Sequence, residues 1–211
     1  MFRKFSYFLL VFALSFTLCG CSGKFSPPTV DKMKKELNSL ASYQCDVKMS
    51  VTNNRSTNDY VMKHYYKKAG KYRIEIASPE ELKGQVTIYD GSSAYVFHPG
   101  IAQYLVTQNF IASMEHYAFA GAFLEHLEQD AGVRYAREKV GDKLYFVMEF
   151  DIENGSMYMQ KEKIWFDVQE LTPWKAEIYD KDGKATVQVY YDNFIMNPKL
   201  DDKLFEIPAK R

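Results

Sequence analysis

Short stretches of alternating apolar and polar residues, separated by turn-forming pairs, run through most of this 211-residue chain and limit what it can fold into. The clearest is YQCDVKMSV, residues 43–51, in which every second residue from Cys45 to Val51 is apolar. Alternation with a period of two is typical of a strand with one buried face. Further stretches lie at 58–68, 71–77, 85–90, 93–98, 103–107, 133–138, 143–151, 157–167, 174–180 and 185–194. Because pairs such as Asp90-Gly91 separate them, the sequence predicts about eleven short strands in an antiparallel sheet.

Two stretches have the periodicity of helices instead. From Thr29 to Leu40, apolar residues recur at helical spacing with charged residues between them, which predicts an amphipathic helix. A second helix is predicted at roughly Asn109–Gln129, between the sixth and seventh strands. Its apolar residues lie on two sides, so it is either buried on both or has one face for a ligand or partner. The predicted fold class is α+β, mainly β, in a single domain.

The N-terminal segment is predicted to be an export signal. A basic start precedes an uncharged stretch, residues 5–18, that is too short to span a bilayer but suits a signal peptide. The residues LCGC at 18–21 resemble the bacterial lipobox. That resemblance implies cleavage between Gly20 and Cys21, with a diacylglycerol on the sulfur of Cys21 and an acyl group on its new amino terminus.

The expected cleavage divides the chain into three parts. They are a lipoprotein signal peptide at 1–20, a lipidated terminus and tether at 21–28, and a folded domain at 29–211. Two ester-linked acyl chains anchor a protein stably, whereas one chain holds it only marginally. We therefore expect an exported lipoprotein on the outer face of the cytoplasmic membrane.

The three cysteines do not predict a metal or redox site. A structural zinc site needs about four ligands, and redox pairs are usually C-x-x-C rather than the C-x-C of Cys19 and Cys21. Cys45 is left alone in the mature chain and lies in an alternating strand. It is interpreted as a small core residue rather than a nucleophile. No cofactor and no metal are expected.

The charge balance argues against a nucleic-acid partner. The chain has 27 basic and 27 acidic residues, and removal of the signal leaves 25 basic residues against 27 acidic ones, a net charge of −2. This balance gives no basic patch for nucleic acid or for an anionic membrane surface. Membrane attachment is therefore expected to depend on the lipid.

No group of residues predicts catalysis. His116 and His126 share the second predicted helix but are ten residues apart, which is not the spacing of a helical zinc site. Asp90 precedes a glycine and is interpreted as a turn residue, as are the aspartates at 180, 182, 201 and 202. The sequence contains no hydrolase elbow, phosphate loop or calcium loop. We assign no catalytic residue and do not expect an enzyme.

Aromatic residues make up 16% of the chain, which fits either a strand-rich core or a cavity for acyl chains. Tyr95 and Phe97, on one face of the fifth predicted strand, are candidates for either role. An open sheet also has two edge strands. Such an edge could pair with another protein or exchange a strand with a second copy to form a homodimer.

Several stretches resemble the lipoprotein carriers LolA and LolB, whose fold is a curved, open antiparallel half-barrel that wraps helices. They are YQCDVKMSV at 43–51, YRIEIASPEELKGQVTIYDGSSAYVFHPGIAQ at 72–103 and NPKLDDKLFEIP at 197–208. Within that superfamily, KYRIEIASPEELKGQ, AYVFHPGIAQY and YAFAGAFLEHLE resemble the clostridial spore germination lipoproteins of the GerS type. The arginine that restrains the lid of the carriers has no clear match. Arg73 is nearby, but it lies on an alternating strand and is not assigned that role.

The two resemblances imply different functions. The GerS type implies a non-enzymatic lipoprotein of sporulation and germination, the partner of a spore-cortex N-acetylmuramoyl-L-alanine amidase needed for cortex modification. In a spore former, the protein would lie on the forespore or mother-cell membrane facing the cortex. LolA and LolB imply the alternative, a carrier or acceptor that holds lipids or lipoproteins in a hydrophobic cavity.

The lipid anchor gives a first testable prediction. Cells fed a clickable palmitate analogue should label the wild-type protein and leave the Cys21→Ala variant unlabelled, because only the Cys21 sulfur starts the acylation. In-gel fluorescence of the membrane fraction measures the difference, and Cys45→Ala, which should be labelled like wild type, is the matched control. Equal labelling of wild type and Cys21→Ala would show that the lipobox assignment is wrong.

Overall fold

The computed structural model describes residues 30–68, 70–101, 103–107, 120, 123, 132–153 and 155–207. The predicted signal peptide, Gly20, Cys21 and the tether lie outside the described residues. So does the predicted helix at 109–129, apart from Ala120 and Phe123, which are both helical. Within the described ranges, no helix is long and apolar enough to cross a bilayer.

The first predicted helix is confirmed as α1, Val30–Asn38. Met33 and Leu37 lie one turn apart and are both buried, so they form the face by which the helix packs. Asp31 lies in the first turn and Lys35 in the last, where each charge complements the helix dipole.

Eleven strands follow, as the alternation predicts. They are β1 Ser42–Thr52, β2 Thr57–Lys67, β3 Lys71–Ser78, β4 Val86–Tyr89, β5 Ala94–His98, β6 Gln103–Thr107, β7 Arg134–Val140, β8 Lys143–Asp151, β9 Lys161–Asp167, β10 Pro173–Tyr179 and β11 Ala185–Met196. The largest difference from the predicted bounds is at β9, because the residues from 157 to 160 form a tight turn rather than the start of a strand. Short 3-10 turns lie at Glu80–Leu82 and Asp202–Phe205.

The strands form one open antiparallel sheet, which confirms the predicted architecture. Their order is β6-β5-β4-β3-β2-β1-β11-β10-β9-β8-β7. The first six strands extend from the centre in one direction and the last five in the other. β1 and β11 therefore meet in the middle, with Val47 opposite Tyr191 and Met49 opposite Val189, and β6 and β7 are the two edges.

One face of the sheet, here called the inner face, carries the main hydrophobic core. Every second residue of β1 from Tyr43 to Val51 is buried on it, and α1 packs against it. The ring centre of Phe123 lies 5.4 Å from that of Phe150 and 5.9 Å from that of Phe166. Phe123 therefore packs in the core, which agrees with either alternative from the sequence.

Two lysine contacts indicate that the sheet curves around α1. Lys34 Nζ lies 4.8 Å from the ring centre of Tyr135 on β7, and one turn later the carbonyl of Asn38 accepts a hydrogen bond from Lys68 Nζ, just after β2. β2 and β7 are six strand spacings apart, about 29 Å in a flat sheet. One helical turn and two lysine side chains bridge that span only if the sheet curls toward the helix.

The opposite face, called the outer face, carries a smaller cluster and a covering segment. Tyr145, Val147 and Trp165 are buried in the cluster, and Trp174 packs on them. At the other half of the sheet, Arg73 Nη1 donates a hydrogen bond to the carbonyl oxygen of Leu204 at 3.2 Å. Arg73 thus holds the C-terminal segment on the outer face.

Two titratable side chains are buried in the inner core. Glu162 on β9 has 2% of its surface exposed, and burial raises its pKa from 4.5 to about 8. His64 on β2, opposite Cys45, is fully buried, and burial lowers its pKa from 6.5 to about 3. Both side chains are therefore neutral in the core over much of the range between pH 3 and pH 8.

These two groups give opposite pH dependences of stability. Because the pKa of Glu162 is raised on folding, its contribution favours the folded state below pH 4.5 and is lost as the pH rises toward 8. Glu162→Gln should remove that loss, so its stability relative to wild type should rise by up to about 1.4 kcal/mol per pH unit across this window. Urea denaturation at several pH values measures the difference.

His64→Gln serves as the opposite case in the same measurement. The lowered pKa of His64 means that its contribution is intact above pH 6.5 and is lost as the pH falls toward 3. The variant should therefore lose less stability than wild type on acidification. A difference from wild type that does not change with pH for either variant would contradict the burial of that charge.

Candidate functional site

The described histidine and cysteine side chains have structural environments rather than catalytic ones. His64 is neutral in the core, and His98 Nδ1 accepts a hydrogen bond from the backbone N–H of Gly100 in the next turn. Cys45 is buried, and burial raises the pKa of its thiol, which confirms its interpretation as a core residue. His116 and His126 lie outside the described residues. Within the described part of the chain, no three His, Cys, Asp or Glu residues are placed to share a metal ion.

The exposed aspartates form turns, as the sequence predicts. Asp90 Oδ1 accepts hydrogen bonds from the backbone N–H groups of Ser92 and Ser93, and the bond from Ser93 is the main cause of its lowered pKa. Asp180 Oδ1 accepts in the same way from the N–H groups of residues 182 and 184. Asp201 caps the last 3-10 turn, and Asp202 pairs with Lys67. The carboxylates of Asp90, Asp180 and Asp201 are engaged in holding the backbone, and that of Asp202 is engaged in an ion pair.

α1 packs closely on the inner face of the sheet. The cavity between α1 and the sheet, beside Leu37 and Phe166, has a volume of about 10 Å³, which is the space of one water molecule. Tyr95 and Phe97 do not line this face, so both roles considered for them from the sequence are wrong. Their neighbour Ala94 is buried in the inner core, and alternation turns both rings to the outer face, where Phe97 contacts Tyr104.

A groove of about 520 Å³ lies on the outer face of β8, β9 and β10. Its lining is polar, and its charged side chains neutralise one another. Arg134 donates to Glu149 and, through two nitrogens at 2.9 Å, to Asp151. Lys161 Nζ lies 3.1 Å from the same Glu149 carboxylate. Because its cations and carboxylates pair with one another, the groove has little charge left for a ligand.

The outer aromatic cluster is likewise closed by its own side chains. Lys175 Nζ lies 4.9 Å from the ring centre of Trp165 and 5.9 Å from those of Trp174 and Tyr190. Its charge is paired with Glu177 at 2.6 Å. Cation–π contacts and an ion pair of this kind fix the rings against the sheet. The cluster is therefore best explained as packing.

The two edges of the sheet differ in charge. Among the described residues, β6 pairs only with β5 and β7 pairs only with β8, so each has one free edge. β7, with the sequence RYAREKV, presents four charged residues, which are typical protection against pairing with another chain. β6, with the sequence QYLVT, has none, and Leu105 and Val106 have 56% and 60% of their surface exposed. β6 is therefore the candidate protein-binding site of the described fold.

The alternating strands predict an open sheet with free edges but not which strands form them. The signal was present in the strand sequences, because charged residues concentrate in β7 and are missing from β6. What the sequence lacks is the strand order that makes these two strands the edges. The other predicted site, the cleavage and lipidation point at Gly20 and Cys21, lies outside the described residues.

Comparison with known families gives one match over nearly the whole chain. The family model described as "Sporulation protein YdcC-like" matches residues 3–205. A curated relative, the sporulation protein YdcC of Bacillus subtilis (strain 168), is 22% identical over 191 residues. The match covers 90% of this chain and 55% of the relative, so this chain spans about half the length of that protein.

Three solved structures are similar to this fold. An uncharacterised conserved protein of Thermus thermophilus has a TM-score of 0.57 at 12% identity, covering 84% of this chain and 93% of that one. A LolA superfamily protein of Nitrosomonas europaea has a TM-score of 0.48 at 17% identity, covering 85% and 98%. The structure of the CwlD amidase of Clostridioides difficile in complex with the GerS lipoprotein gives 0.49 at 26% identity, covering 80% and 96%. The last two are proteins of the types that the sequence resembles, a LolA superfamily protein and a complex that contains GerS.

The small size of the cavity between α1 and the sheet leads to a prediction about bound lipid. The intact protein purified from membranes should have the same mass in native and denaturing mass spectrometry, because the cavity of about 10 Å³ beside α1 cannot hold an acyl chain. Any covalent lipid contributes equally to both masses. A native mass that exceeds the denatured mass by one lipid would favour the carrier alternative instead.

Proposed function

Because the chain belongs to the YdcC-like sporulation protein family, we propose that it is a non-enzymatic lipoprotein of sporulating cells that acts as the partner of a spore-cortex amidase. The family match over residues 3–205 is the observation that carries the sporulation role. The amidase partner is supported by the sequence stretches that resemble GerS-type lipoproteins, since GerS itself has been solved in complex with the CwlD amidase. The lipoprotein and the amidase together would carry out the modification of the cortex that germination needs.

A role in binding rather than catalysis is supported by what the described polar side chains do. Asp90 and Asp180 hold turns, Glu149 neutralises Arg134, and His64 stays uncharged in the core. Each group is already engaged in the fold. The chemistry of cortex modification would then reside in the amidase.

The proposed location is the outer face of a membrane that borders the cortex. Lipidation at Cys21 would leave eight residues between the anchor and Val30, the first described residue of α1. Such a tether holds the domain within about 30 Å of the bilayer. In a sporulating cell, this membrane is that of the forespore or the mother cell, where a cortex amidase works.

We place the amidase contact at the β6 edge. Leu105 and Val106 are exposed, and no described strand pairs with the free side of β6. This edge suits an extended segment of a partner, which would add a twelfth strand to the sheet. The same edge could instead pair with a second copy of this chain, which would give the homodimer expected from the sequence. If both contacts use the β6 edge, binding of the amidase should compete with formation of the homodimer.

A lipid or lipoprotein carrier is the second candidate function, and a lipid bound to the purified protein would favour it. Its support is the likeness to the LolA superfamily protein in fold. The cavity between α1 and the sheet, at about 10 Å³, is too small for an acyl chain. We therefore favour the amidase partner.

The proposal is tested with the full-length lipoprotein and the cortex amidase of the same organism, produced together and purified through a tag on the lipoprotein. We expect the amidase to co-purify. Val106→Glu at the β6 edge should weaken binding by about tenfold or more, because an unpaired carboxylate on β6 would be buried against the added strand. Val140→Glu, at the β7 edge and 38% exposed, is the matched control and should bind like wild type. Biolayer interferometry measures both affinities.

The outcomes separate the parts of the proposal. Absence of amidase binding by the wild-type chain would contradict the proposed function itself. Binding that is weakened by Val140→Glu rather than Val106→Glu would keep the function and move the contact to β7. Light scattering of the lipoprotein alone measures whether a homodimer forms through the same edge.

A further inference from the structure

The backbone of the turn before β9 is tightly constrained for a surface loop. At Gly155, a Cβ atom would lie 1.8 Å from the carbonyl oxygen of Met159, so only glycine fits there. Gln160 Nε2 donates hydrogen bonds to the carbonyl oxygens of Gly155 and Ser156 at 2.9 and 2.8 Å. The backbone N–H of Met159 closes the turn on the carbonyl of Ser156 at 2.8 Å. We call residues 155–160 the β9 turn.

Neighbouring strands also hold the β9 turn in place. Thr186 Oγ1 on β11 donates to the carbonyl oxygen of Tyr158 at 2.8 Å, and the backbone N–H of Lys181 donates to that of Met157 at 3.0 Å. Despite this support, Met157 and Tyr158 have 55% and 47% of their surface exposed. The fold thus fixes the backbone while it presents one aliphatic and one amphipathic aromatic side chain to the exterior.

A hollow of about 560 Å³ separates the β9 turn from the β1–β2 turn. Val51 and Met159 contribute its apolar lining, and Tyr158 and Arg55 lie on opposite sides. Among the described residues, Arg55 has no carboxylate within ion-pair distance, which distinguishes it from the paired Lys181 and Lys83 nearby along the same end of the sheet. An apolar hollow beside an uncompensated guanidinium suits a ligand with an apolar part and an anionic head.

α1 runs from the side of this end of the sheet toward the opposite end. Antiparallel strands alternate in direction, so β1 and β8 end where β2 and β7 begin, and both turns lie at this end. The last turn of α1 reaches the opposite end, where Asn38 meets Lys68, whereas Lys34 meets Tyr135 in the first part of β7. The first turn of α1, which begins at Val30, therefore lies toward the end of the sheet that holds the β9 turn.

We propose that this end of the sheet rests on the membrane, with Met157 and Tyr158 in the interfacial layer and Arg55 against a lipid phosphate. The inference rests on the proposed anchor at Cys21. Tyrosine suits this layer because its ring is apolar and its hydroxyl is polar. Two side chains alone would bind a bilayer weakly, but the tether makes the contact intramolecular and raises the local concentration of lipid. The β6 edge then remains open to a partner.

Tryptophan emission in nanodiscs tests the orientation with the intact lipoprotein. Met157→Trp is compared with Ile195→Trp, which replaces a side chain of similar exposure, 47%, at the opposite end of the sheet. The native Trp165 and Trp174 contribute equally to both and are subtracted with the wild-type spectrum. In discs that contain phosphatidylglycerol with brominated acyl chains, the added emission of Met157→Trp should fall at least about twofold and shift to the blue. Ile195→Trp should stay unquenched.

Arg55→Glu in the Met157→Trp background should reduce the quenching in these anionic discs, and Lys199→Glu is its control. Equal quenching at both positions, or none at either, would overturn the inference, and stronger quenching of Ile195→Trp would assign the opposite end to the membrane. If added amidase rather than bromolipid changes the Met157→Trp emission, the β9 turn is a protein contact instead. A failed anchor is seen earlier, as an unlabelled protein absent from the disc fraction, and overturns the inference together with the lipoprotein proposal.

Discussion

The pairing of β1 with β11 is the interaction on which the rest of the structure depends, because it is the strand pair that joins the two halves of the described sheet. On the inner face, the pair brings Val47 against Tyr191 within the core. On the outer face, Lys48 binds Asp192 at 2.8 Å. α1 leads directly into β1, and the segment after β11 returns to Arg73 on β3. Both ends of the described chain therefore take their positions from this central pair.

The number and approximate bounds of the strands could be predicted from the sequence because alternation is local. The strand order could not, since β1 and β11 meet across more than 130 residues and nothing local states that pairing. The same limit applies to the candidate site. The uncharged sequence of β6 is visible in the chain, but it matters only because the order places β6 at an edge. For β9, the alternation was read too far, because Gly155 and Gln160 build a turn from hydrogen bonds that apolar periodicity does not encode.

Glu162 and Tyr95 show the two directions in which residue type misleads. Glu162 lies between two lysines and reads as a solvent-exposed charge, yet it has the same parity as Ile164 and Phe166 and is buried with them. Tyr95 reads as core filling, yet its neighbour Ala94 occupies the inner face and turns it outward. In both cases the pleat decides the direction of the side chain, and the side chain then adapts, as Glu162 does by taking up a proton.

The asymmetry of the sheet edges also bears on how the protein works. An open sheet of eleven strands is exposed to unwanted pairing at both edges, and the charges of β7 counter that risk at one of them. An uncharged edge strand such as β6 would promote aggregation unless a binding partner covers it. The proposed tether to α1 would limit how the domain can turn relative to the bilayer, so the β6 edge would be presented in a restricted set of directions. In that arrangement, the lipid anchor would supply orientation as well as location, which a partner protein without chemistry of its own requires.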